Sequence, residues 1–247
     1  MQLDLWLKWY DKLRVIFGYS IVEDQSSAQL LSELLYEKSI DIERVKELIT
    51  SKNVLVVAPG PSLEKSFDMI KNLKSFTIIA ADGASEALVK NCIKPDIVVT
   101  DLDGNHEYLL KANNMGSIMV IHAHSDNVNL LRNLVPKMKN CVGTTQVKPL
   151  RRIYNFGGFT DGDRAVFLTS EFNAKNVVLV GMDFGKKIGK YSKTKIKNEK
   201  LKIVKMDMGK KLLEWLATFT NVKLYNTSSS SIKGFKNITL NDMDILD

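Results

Sequence analysis

Two aspartates, Asp101 and Asp103, follow an apolar, β-branched run directly, and Gly104 ends the segment. In an extended chain, residues two apart point to the same side, so both carboxylates should leave the strand tip together. Carboxylates held side by side repel each other unless a cation lies between them, and Mg²⁺ that is also held by phosphate oxygens suits this arrangement. Asp and Gly are also ordinary turn residues, so a polar turn is the alternative interpretation.

Two shorter motifs also follow apolar runs. In the segment around Gly60 and Ser62, glycine allows close backbone approach and serine is a natural helix N-cap, so a phosphate could rest on the amides there. The segment matches neither the Walker loop nor the GxGxxG fingerprint, and a tight strand-to-helix turn is the alternative. Asp82, followed by Gly83, could bind the amino or hydroxyl groups of a ligand or cap the next helix.

A histidine-rich segment ends the next apolar run, with His122, His124 and Asp126 within five residues. This set suits a transition metal, a proton transfer or a phosphate clamp. A catalytic zinc needs three protein ligands, so the His-x-His pair alone is weak evidence for that metal. Asp126 could instead cap the helix that begins at Asn127, but we expect at least one of His122 and Asp126 to be functional.

A glycine pair, Gly157 and Gly158, precedes a helix that carries Arg164 near its start. The two glycines would let the backbone approach a flat ligand, on which Phe156 or Phe159 could stack. Arg164 could bind a phosphate or the acidic start of its own helix. A turn with a helix cap is the alternative.

Lysines follow the last strong apolar run, which ends near Asp183. Lys186 and Lys190 lie on a loop interrupted by glycines, and mobile lysines of this kind suit a triphosphate. A disordered basic loop is the alternative. We expect the remainder of the lysine-rich run, through Lys205, to be solvated surface.

The elements that must position these motifs alternate between strands and helices. Continuous apolar runs of strand length indicate strands buried on both faces, as in a parallel sheet covered by helices. They occur at Val54–Ala58, Phe76–Ala81, Ile97–Thr100, Ile118–His122 and Val177–Gly181, with a weaker run at Val222–Tyr225. The sequence therefore predicts an α/β fold with a doubly wound, mostly parallel, Rossmann-like sheet. Because ligands bind at the carboxyl ends of such strands, the polar motifs should lie along one crevice.

The first fifty residues have a helical pattern instead. Helices are predicted near Leu3–Phe17, Ser26–Lys38 and Ile42–Ser51, because apolar residues recur there at helical spacing. We expect an N-terminal helical cap or subdomain over residues 1–51 and an α/β catalytic domain over residues 52–247.

The composition places limits on location and partners. The chain has 247 residues, 45% of them hydrophobic, and a formal charge of +7. No apolar run reaches membrane-spanning length, and the two cysteines have no metal-ligand spacing. We therefore expect a cytoplasmic protein. The basic charge alone does not decide between partners, but no nucleic-acid recognition motif is visible. We predict neither nucleic acid nor a membrane as partner, and homo-oligomerisation stays open.

The ordered set of motifs resembles the archaeal 6-hydroxymethyl-7,8-dihydropterin pyrophosphokinases, a family similar in turn to thiamin pyrophosphokinase. The resemblance spans roughly residues 54–192. It is carried by Gly60-Pro61-Ser62-Leu63, Ala81-Asp82-Gly83-Ala84, Pro95-Asp96 through Thr100-Asp101-Leu102-Asp103-Gly104, Gly158-Phe159-Thr160-Asp161-Gly162-Asp163-Arg164-Ala165 and Gly181-Met182-Asp183-Phe184-Gly185.

This resemblance implies a Mg²⁺- and ATP-dependent enzyme of pterin or folate-type cofactor biosynthesis. Such an enzyme moves a diphosphoryl group from ATP to the hydroxyl of the pterin and releases AMP. The thiamin enzyme's metal motifs carry over to Asp101, Asp103 and Asp126, while His122 stands where that enzyme has an acidic residue. Asp126 or His122 would accept the hydroxyl proton. The catalytic set is thus Asp101, Asp103, Asp126, His122 and Arg164, and the binding set is Gly60, Ser62, Asp82, Gly83, Gly157, Gly158, Asp161, Asp183, Lys186 and Lys190.

In the arrangement that the resemblance implies, the reduced pterin lies flat on the Gly157–Gly158 pair. An aspartate, Asp161 or Asp82, pairs with its amino-pyrimidine edge.

Two other functions are compatible with the fold. Domains that resemble this family also occur in glycosylation proteins, so a nucleotide- or sugar-nucleotide-binding module of surface glycosylation is the principal alternative. A non-catalytic dinucleotide-binding module is disfavoured, because such modules seldom need several carboxylates beside the phosphates.

Overall fold

A single sheet of parallel strands forms the centre of the molecule. The computed structural model describes residues 3–185, 187–192 and 199–246. Within them the strands are β1 Asn53–Val57, β2 Phe76–Ala81, β3 Ile97–Thr100, β4 Ile118–Ala123, β5 Cys141–Thr145, β6 Ile153–Tyr154, β7 Asn176–Val180, β8 Lys223–Asn226 and β9 Lys236–Asn237. Their order across the sheet is β6-β5-β4-β3-β2-β1-β7-β8-β9, and all neighbouring pairs are parallel.

The strand order reverses between β1 and β7. From β1 the sheet grows in one direction through β2 to β6 and in the other through β7 to β9. Strands β1, β2, β3, β4 and β7 are buried along their whole length, which explains their continuous apolar sequences. The doubly wound α/β fold is therefore confirmed, and its ligand crevice is expected where β1 and β7 end.

Helices lie between the strands. They are α1 Leu3–Phe17, α2 Ile21–Leu34, α3 Glu43–Ile49, α4 Phe67–Asn72, α5 Ala84–Lys90, α6 His106–Asn114, α7 Val128–Leu134, α8 Asp161–Glu171 and α9 Glu199–Leu216. Helix α2 begins earlier than the sequence indicates, because the Ser20 hydroxyl accepts a hydrogen bond from the Glu23 amide and caps it. A 3₁₀ turn, Pro61–Lys65, replaces the first part of the helix expected after β1.

The N-terminal helices share the core of the sheet. Trp6 and Leu31 are fully buried in the same apolar cluster as the strands. The Trp6 ring packs edge-on against Phe167 of α8 at 6.4 Å, and its Nε1–H donates to the Gln146 carbonyl at 2.9 Å. The division into residues 1–51 and 52–247 stays a prediction, and the contacts show that the first part has no separate core. Among the described helices, none is long and apolar enough to cross a bilayer.

Candidate active site at the carboxyl edge of the sheet

The turns after β1 and β7 form one side of a cleft at the point where the strand order reverses. The Gly60 amide donates to the Gly181 carbonyl at 2.8 Å, and a Cβ on Gly60 would overlap that oxygen, so only glycine fits. The Asp183 carboxylate accepts from both the amide and the hydroxyl of Ser62, each at 2.8 Å. Asp183 and Ser62 therefore fix the shape of the turn together, and the Ser62 amide, which was predicted to receive a phosphate, donates to Asp183 instead.

A cluster of three carboxylates lies where β2 and β3 end. Asp82, Asp101 and Asp103 each offer an oxygen, and these oxygens lie within 4.8 Å of one another. Asp82 is held by the Thr100 hydroxyl, which donates to its Oδ1 at 2.5 Å. A Cβ on Gly104 would come within 2.6 Å of Asp82 Oδ2, so glycine is needed beside the cluster. The two predicted carboxylates are thus brought together with a third from the neighbouring strand.

The chain turns sharply between the two carboxylates instead of remaining extended. Leu102 has a φ of 69°, in the left-handed region that residues with a Cβ rarely adopt. Its amide donates to the Thr100 hydroxyl oxygen at 2.8 Å, and its side chain is fully buried. Burial and this hydrogen bond offset the backbone strain. The expectation of an extended Asp-x-Asp segment is wrong, although both carboxylates still converge on Asp82.

The electrostatics of the cluster favour a bound cation. The pKa of Asp82 is raised well above its usual range, first because the carboxyl is buried and then because Asp161, Asp101 and Asp103 repel its charge. A divalent cation would remove that repulsion, and oxygen ligands in this number suit Mg²⁺ together with water and phosphate oxygens. The residues present therefore fit such an ion.

His122 is buried on β4 and carries an unpaired nitrogen. Its Nδ1 lies 3.2 Å from the Thr144 hydroxyl, which itself donates to the Ile121 carbonyl. Since that hydroxyl has only one proton, His122 Nδ1 must be the donor, and the neutral ring leaves a lone pair on Nε2. Nε2 has no hydrogen-bond partner within the described part of the chain. Burial, followed by the charges of Arg164 and His124, holds the pKa of His122 well below its usual range, so the ring is neutral near pH 7.

His124, which belongs to the histidine-rich segment but was not predicted as a site residue, contacts the cluster more directly than Asp126 does. Its Nε2 lies 3.4 Å from Asp101 Oδ2, and its Nδ1 accepts from the Asp126 amide at 3.2 Å. The Asp126 side chain is 63% exposed and is not part of the carboxylate cluster. Residues two apart along a strand point to the same side, so His124 could have been predicted to lie beside His122.

The start of α8 also lines the cleft. Gly157 and Gly158 both have positive φ, and a Cβ on Gly158 would lie 2.6 Å from the Arg164 Cα. Arg164 is buried and pairs through Nη1 with Asp161 Oδ1 at 3.2 Å, so the guanidinium is held beside the cleft. Gly158 therefore permits tight packing against α8. The binding role predicted for the two glycines stays a prediction.

The aromatic residues near this helix take different positions. Phe159 lines the cleft, whereas Phe156 stacks on Tyr154 at 5.7 Å with nearly parallel rings. Phe184, which follows β7, also lines the cleft and was not predicted as a site residue. Phe184, which is half-buried, is thus the more accessible ring for a flat ligand, since Phe159 is only 5% exposed.

The basic loop packs against the turn after β1. Lys186 lies outside the described residues. Lys187 lines the cleft, while Lys190 is directed to the surface and lies 3.6 Å from Glu64. A Cβ on Gly189 would overlap the Pro59 carbonyl oxygen, and one on Gly83 would overlap the Tyr191 carbonyl oxygen. Gly83 therefore provides room for this loop.

Two lysines of α9 also reach the cleft. Lys202 and Lys205 line it together with Met206. The expectation that the run through Lys205 is solvated surface is therefore wrong for these two residues, because α9 packs along α8 and directs them inward.

A buried carboxylate connects the N-terminal helices to the site. Asp24 of α2 is fully buried, and its Oδ2 accepts from the Tyr10 hydroxyl at 2.5 Å and from Gln146 Nε2 at 2.6 Å. Its Oδ1 accepts from the Ser125 amide at 2.7 Å, in the turn that follows His124. This network could not be predicted from the sequence, since its members are far apart along the chain.

The fold and the site together define a class of protein. A doubly wound parallel sheet with a carboxylate cluster, an arginine and lysines around one cleft at its carboxyl edge is typical of enzymes that act on phosphorylated substrates. Residues 28–189 match the sequence model of the family described as "MptE-like: 6-hydroxymethylpterin diphosphokinase MptE-like". The chain belongs to this family.

Curated relatives agree with that assignment. A protein of Methanocaldococcus jannaschii is 40% identical over 231 residues, which cover 87% of this chain and 96% of the relative. A protein of Pyrococcus furiosus is 42% identical over 234 residues, covering 92% of this chain and 100% of the relative. Each is named a 6-hydroxymethyl-7,8-dihydropterin pyrophosphokinase.

A solved structure is similar in fold. The MAf glycosyltransferase of Magnetospirillum magneticum AMB-1 superposes with a TM-score of 0.52 and 16% sequence identity, over 78% of this chain and 34% of that chain. At this identity the likeness concerns the fold alone.

Proposed function

We propose that this chain transfers a diphosphoryl group from ATP to the hydroxyl of 6-hydroxymethyl-7,8-dihydropterin and releases AMP. The observation that carries the proposal is the cluster of Asp82, Asp101 and Asp103 beside the cleft, in a chain that belongs to the 6-hydroxymethylpterin diphosphokinase family. The names of its curated relatives support the same reaction.

Mg²⁺ is part of this proposal. Asp82, Asp101 and Asp103 would hold it, and when bound it would neutralise charge on the phosphate oxygens of ATP. Asp101 and Asp103 were predicted as ligands from the sequence. Asp126, the third predicted ligand, lies outside the cluster and is largely exposed, so Asp82 is the better third ligand.

The protein's own groups position the reactants. The pterin hydroxyl oxygen would attack the β-phosphorus of ATP, and the bond from that phosphorus to the α,β-bridging oxygen would break, so AMP leaves with that oxygen. Arg164, held by Asp161, and Lys187 line the cleft and would counter the negative charge of the phosphates. Lys186 and Lys190 were predicted for this role, which stays a prediction.

The hydroxyl proton needs an acceptor. His122 is neutral, and its Nε2 has no hydrogen-bond partner in the described part of the chain. The ring is buried and does not itself line the cleft, but Arg164 and Asp101 of the cleft wall are close enough to influence its pKa. We favour His122 over Asp126, whose side chain is mostly in solvent. In transfers of this kind most of the catalysis comes from positioning and charge, so the loss of the acceptor should cost less than the loss of the metal cluster.

The pterin would lie flat in the cleft. Phe184 would provide a ring face, and Asp161 would accept from its amino-pyrimidine edge. Of the two aspartates predicted for that contact, Asp82 belongs to the carboxylate cluster, which leaves Asp161.

A product assay tests the proposal. The chain is incubated with ATP, Mg²⁺ and reduced 6-hydroxymethyl-dihydropterin, with thiamin as rival acceptor and with chelator as control. AMP formed in step with a pterin diphosphate, and lost with chelator, supports the reaction. The absence of AMP with either acceptor, in a chain that binds a sugar nucleotide, would contradict it and favour the glycosylation-associated module.

The remaining expectations belong to this proposal. A cytoplasmic location, the absence of nucleic-acid and membrane partners, and homo-oligomerisation stay predictions from the sequence. Fractionation of cells and light scattering of the purified chain test the first and the last.

A further inference from the structure

One lysine of the cleft lies against three aromatic rings. The Lys205 Nζ is 5.9 Å from the centroid of Phe17, 5.6 Å from that of Tyr19 and 5.9 Å from that of Phe159. The rings themselves are in contact, with Phe17 and Phe159 centroids 4.9 Å apart and those of Phe17 and Tyr19 6.0 Å apart. We call the three rings the aromatic cage.

The aromatic cage joins distant parts of the chain. Phe17 ends α1, Tyr19 lies in the turn to α2, and Phe159 precedes α8. Lys205 comes from α9 and lines the same cleft as Asp82 and Asp101 of the carboxylate cluster. The N-terminal segment therefore contributes directly to the position of a cation at the candidate active site.

Lys205 is held without a neutralising carboxylate. In the described ranges 3–185, 187–192 and 199–246, no ion pair or hydrogen bond of its ammonium is found. A lysine is usually flexible and strongly hydrated, so partial burial against rings orders the side chain and removes water from it. The ring faces compensate for this in part, since they attract the cation. The arrangement leaves the positive charge available to an anion in the cleft.

We propose that Lys205 binds the β,γ-diphosphate of ATP and that the aromatic cage positions it for that contact. This inference rests on the proposed function, because it assumes that ATP occupies the cleft. The diphosphate is the most strongly charged part of the substrates, and it is also the group that is transferred. Phe17 and Tyr19 are positioning residues in this assignment, since they act on the ligand through Lys205.

The test compares the affinities of the purified chain for two nucleotides. Kd is measured by calorimetry for ATP with Mg²⁺ and for AMP, in the absence of pterin, for the unaltered chain and Lys205→Met. Lys211→Met is the matched control, because Lys211 is exposed on the same helix. We expect Lys205→Met to raise the Kd of ATP about tenfold or more, as for the loss of a charge-assisted contact, and to leave the Kd of AMP unchanged.

Two further variants separate the charge from its positioning. Lys205→Arg keeps a cation that stacks on rings and should recover part of the ATP affinity. Tyr19→Leu keeps the lysine but weakens the aromatic cage, and it should raise the Kd of ATP by about threefold with no effect on AMP. Thermal unfolding of each variant confirms that it is folded.

The outcomes are distinct from those of the product assay. If Lys205→Met binds ATP as tightly as the unaltered chain, or if it loses ATP and AMP equally, the inference is overturned while the diphosphokinase reaction can still stand. If the unaltered chain forms no AMP in the product assay but Lys205→Met selectively loses ATP, the proposed reaction fails and the assignment of Lys205 to the diphosphate holds. A rise in the KM of the pterin alone would assign the aromatic cage to the acceptor and overturn the inference.

Discussion

Replacing Asp82 by asparagine should stabilise the metal-free protein and abolish its response to Mg²⁺. Asparagine has the same shape and can accept the hydrogen bond that Thr100 donates to Asp82 Oδ1. Asp82 has a φ of 33°, and asparagine is among the residues that tolerate positive φ. The substitution therefore removes one charge from the carboxylate cluster with little other change.

The size of the effect follows from the separation of the charges. At 4.8 Å and an effective dielectric constant of about 20, two ionised carboxylates repel each other by roughly 3.5 kcal/mol. Asp82 avoids part of this repulsion by retaining its proton, since its pKa is raised. We expect Asp82→Asn to raise the free energy of unfolding by about 1–3 kcal/mol near pH 8, which corresponds to a rise in Tm of about 2–12 °C for a chain of this size.

The sign of the pH dependence follows from linkage. The folded state holds the Asp82 proton more tightly than the unfolded state does, so stability is lost as the pH rises through the raised pKa. The difference in the free energy of unfolding between Asp82→Asn and the unaltered chain should therefore grow with pH. It should vanish below pH 3.8, the pKa of an aspartate in the unfolded chain.

Thermal unfolding in chelator between about pH 4 and pH 8, and then with added Mg²⁺, measures both effects. The unaltered chain should gain stability from Mg²⁺ and Asp82→Asn should not, because a ligand stabilises only the state that binds it. Asp126→Asn is the control and should behave as the unaltered chain. A lower Tm of Asp82→Asn in chelator near pH 8, or an undiminished Mg²⁺ response, would refute the reasoning, and a lost response in Asp126→Asn would restore Asp126 as a ligand.

Four further predictions concern single residues. Asp101→Asn should abolish AMP release and keep the fold by circular dichroism; undiminished release would exclude its metal role. The unaltered chain should lose stability as the pH falls below 6.5, because the lowered pKa of His122 makes the unfolded state take up the proton first. The slope of the unfolding free energy, measured in urea, should reach up to about 1.4 kcal/mol per pH unit, and His122→Asn should make it smaller. Parallel pH profiles of the two proteins would contradict this. Asp24→Ala leaves three donors without an acceptor and should cost about 2–4 kcal/mol, whereas a loss under about 0.5 kcal/mol would show that the network is dispensable. Gly60→Ala should destabilise the protein by about 2 kcal/mol or more through overlap with the Gly181 oxygen. Gly185→Ala, whose Cβ would have no atom of the described residues within 4 Å, should be neutral in denaturant unfolding, and equal effects of the two variants would reject the steric argument.

The sequence predicts the strands that are buried on both faces, and it misses the weaker elements. Strands β1, β2, β3, β4, β7 and β8 agree with the apolar runs to within one residue at each end. Strand β5 was not predicted, because its sequence, Cys-Val-Gly-Thr-Thr, contains a glycine and two threonines and few apolar residues. Strands β6 and β9 have only two residues each, too few for any periodicity.

The site is predictable where its residues follow strands. Each motif that ends a buried strand lies at the carboxyl edge, because the ends of parallel strands meet there. The position of Asp82 in the carboxylate cluster could not be predicted, because it depends on β2 and β3 being neighbours in the sheet, which sequence order does not specify. Lys205 and Asp24 reach the site from helices through long-range packing, and local spacing carries no information about such contacts.

The strand order also has a consequence for how the chain folds during its synthesis. Strand β1 pairs with both β2 and β7, and β7 begins roughly 120 residues after β1 ends. At a synthesis rate of about 5–20 residues per second, one hydrogen-bonding edge of β1 remains unpaired on the ribosome for about 6–24 s, until β7 has been made. The half of the sheet that bears the carboxylate cluster can form in that interval, whereas the wall that holds Asp183 and Lys205 is made last. An unfinished chain would thus expose a ready-made sheet edge, which makes β1 the expected target of chaperones and the point at which premature termination leads to aggregation.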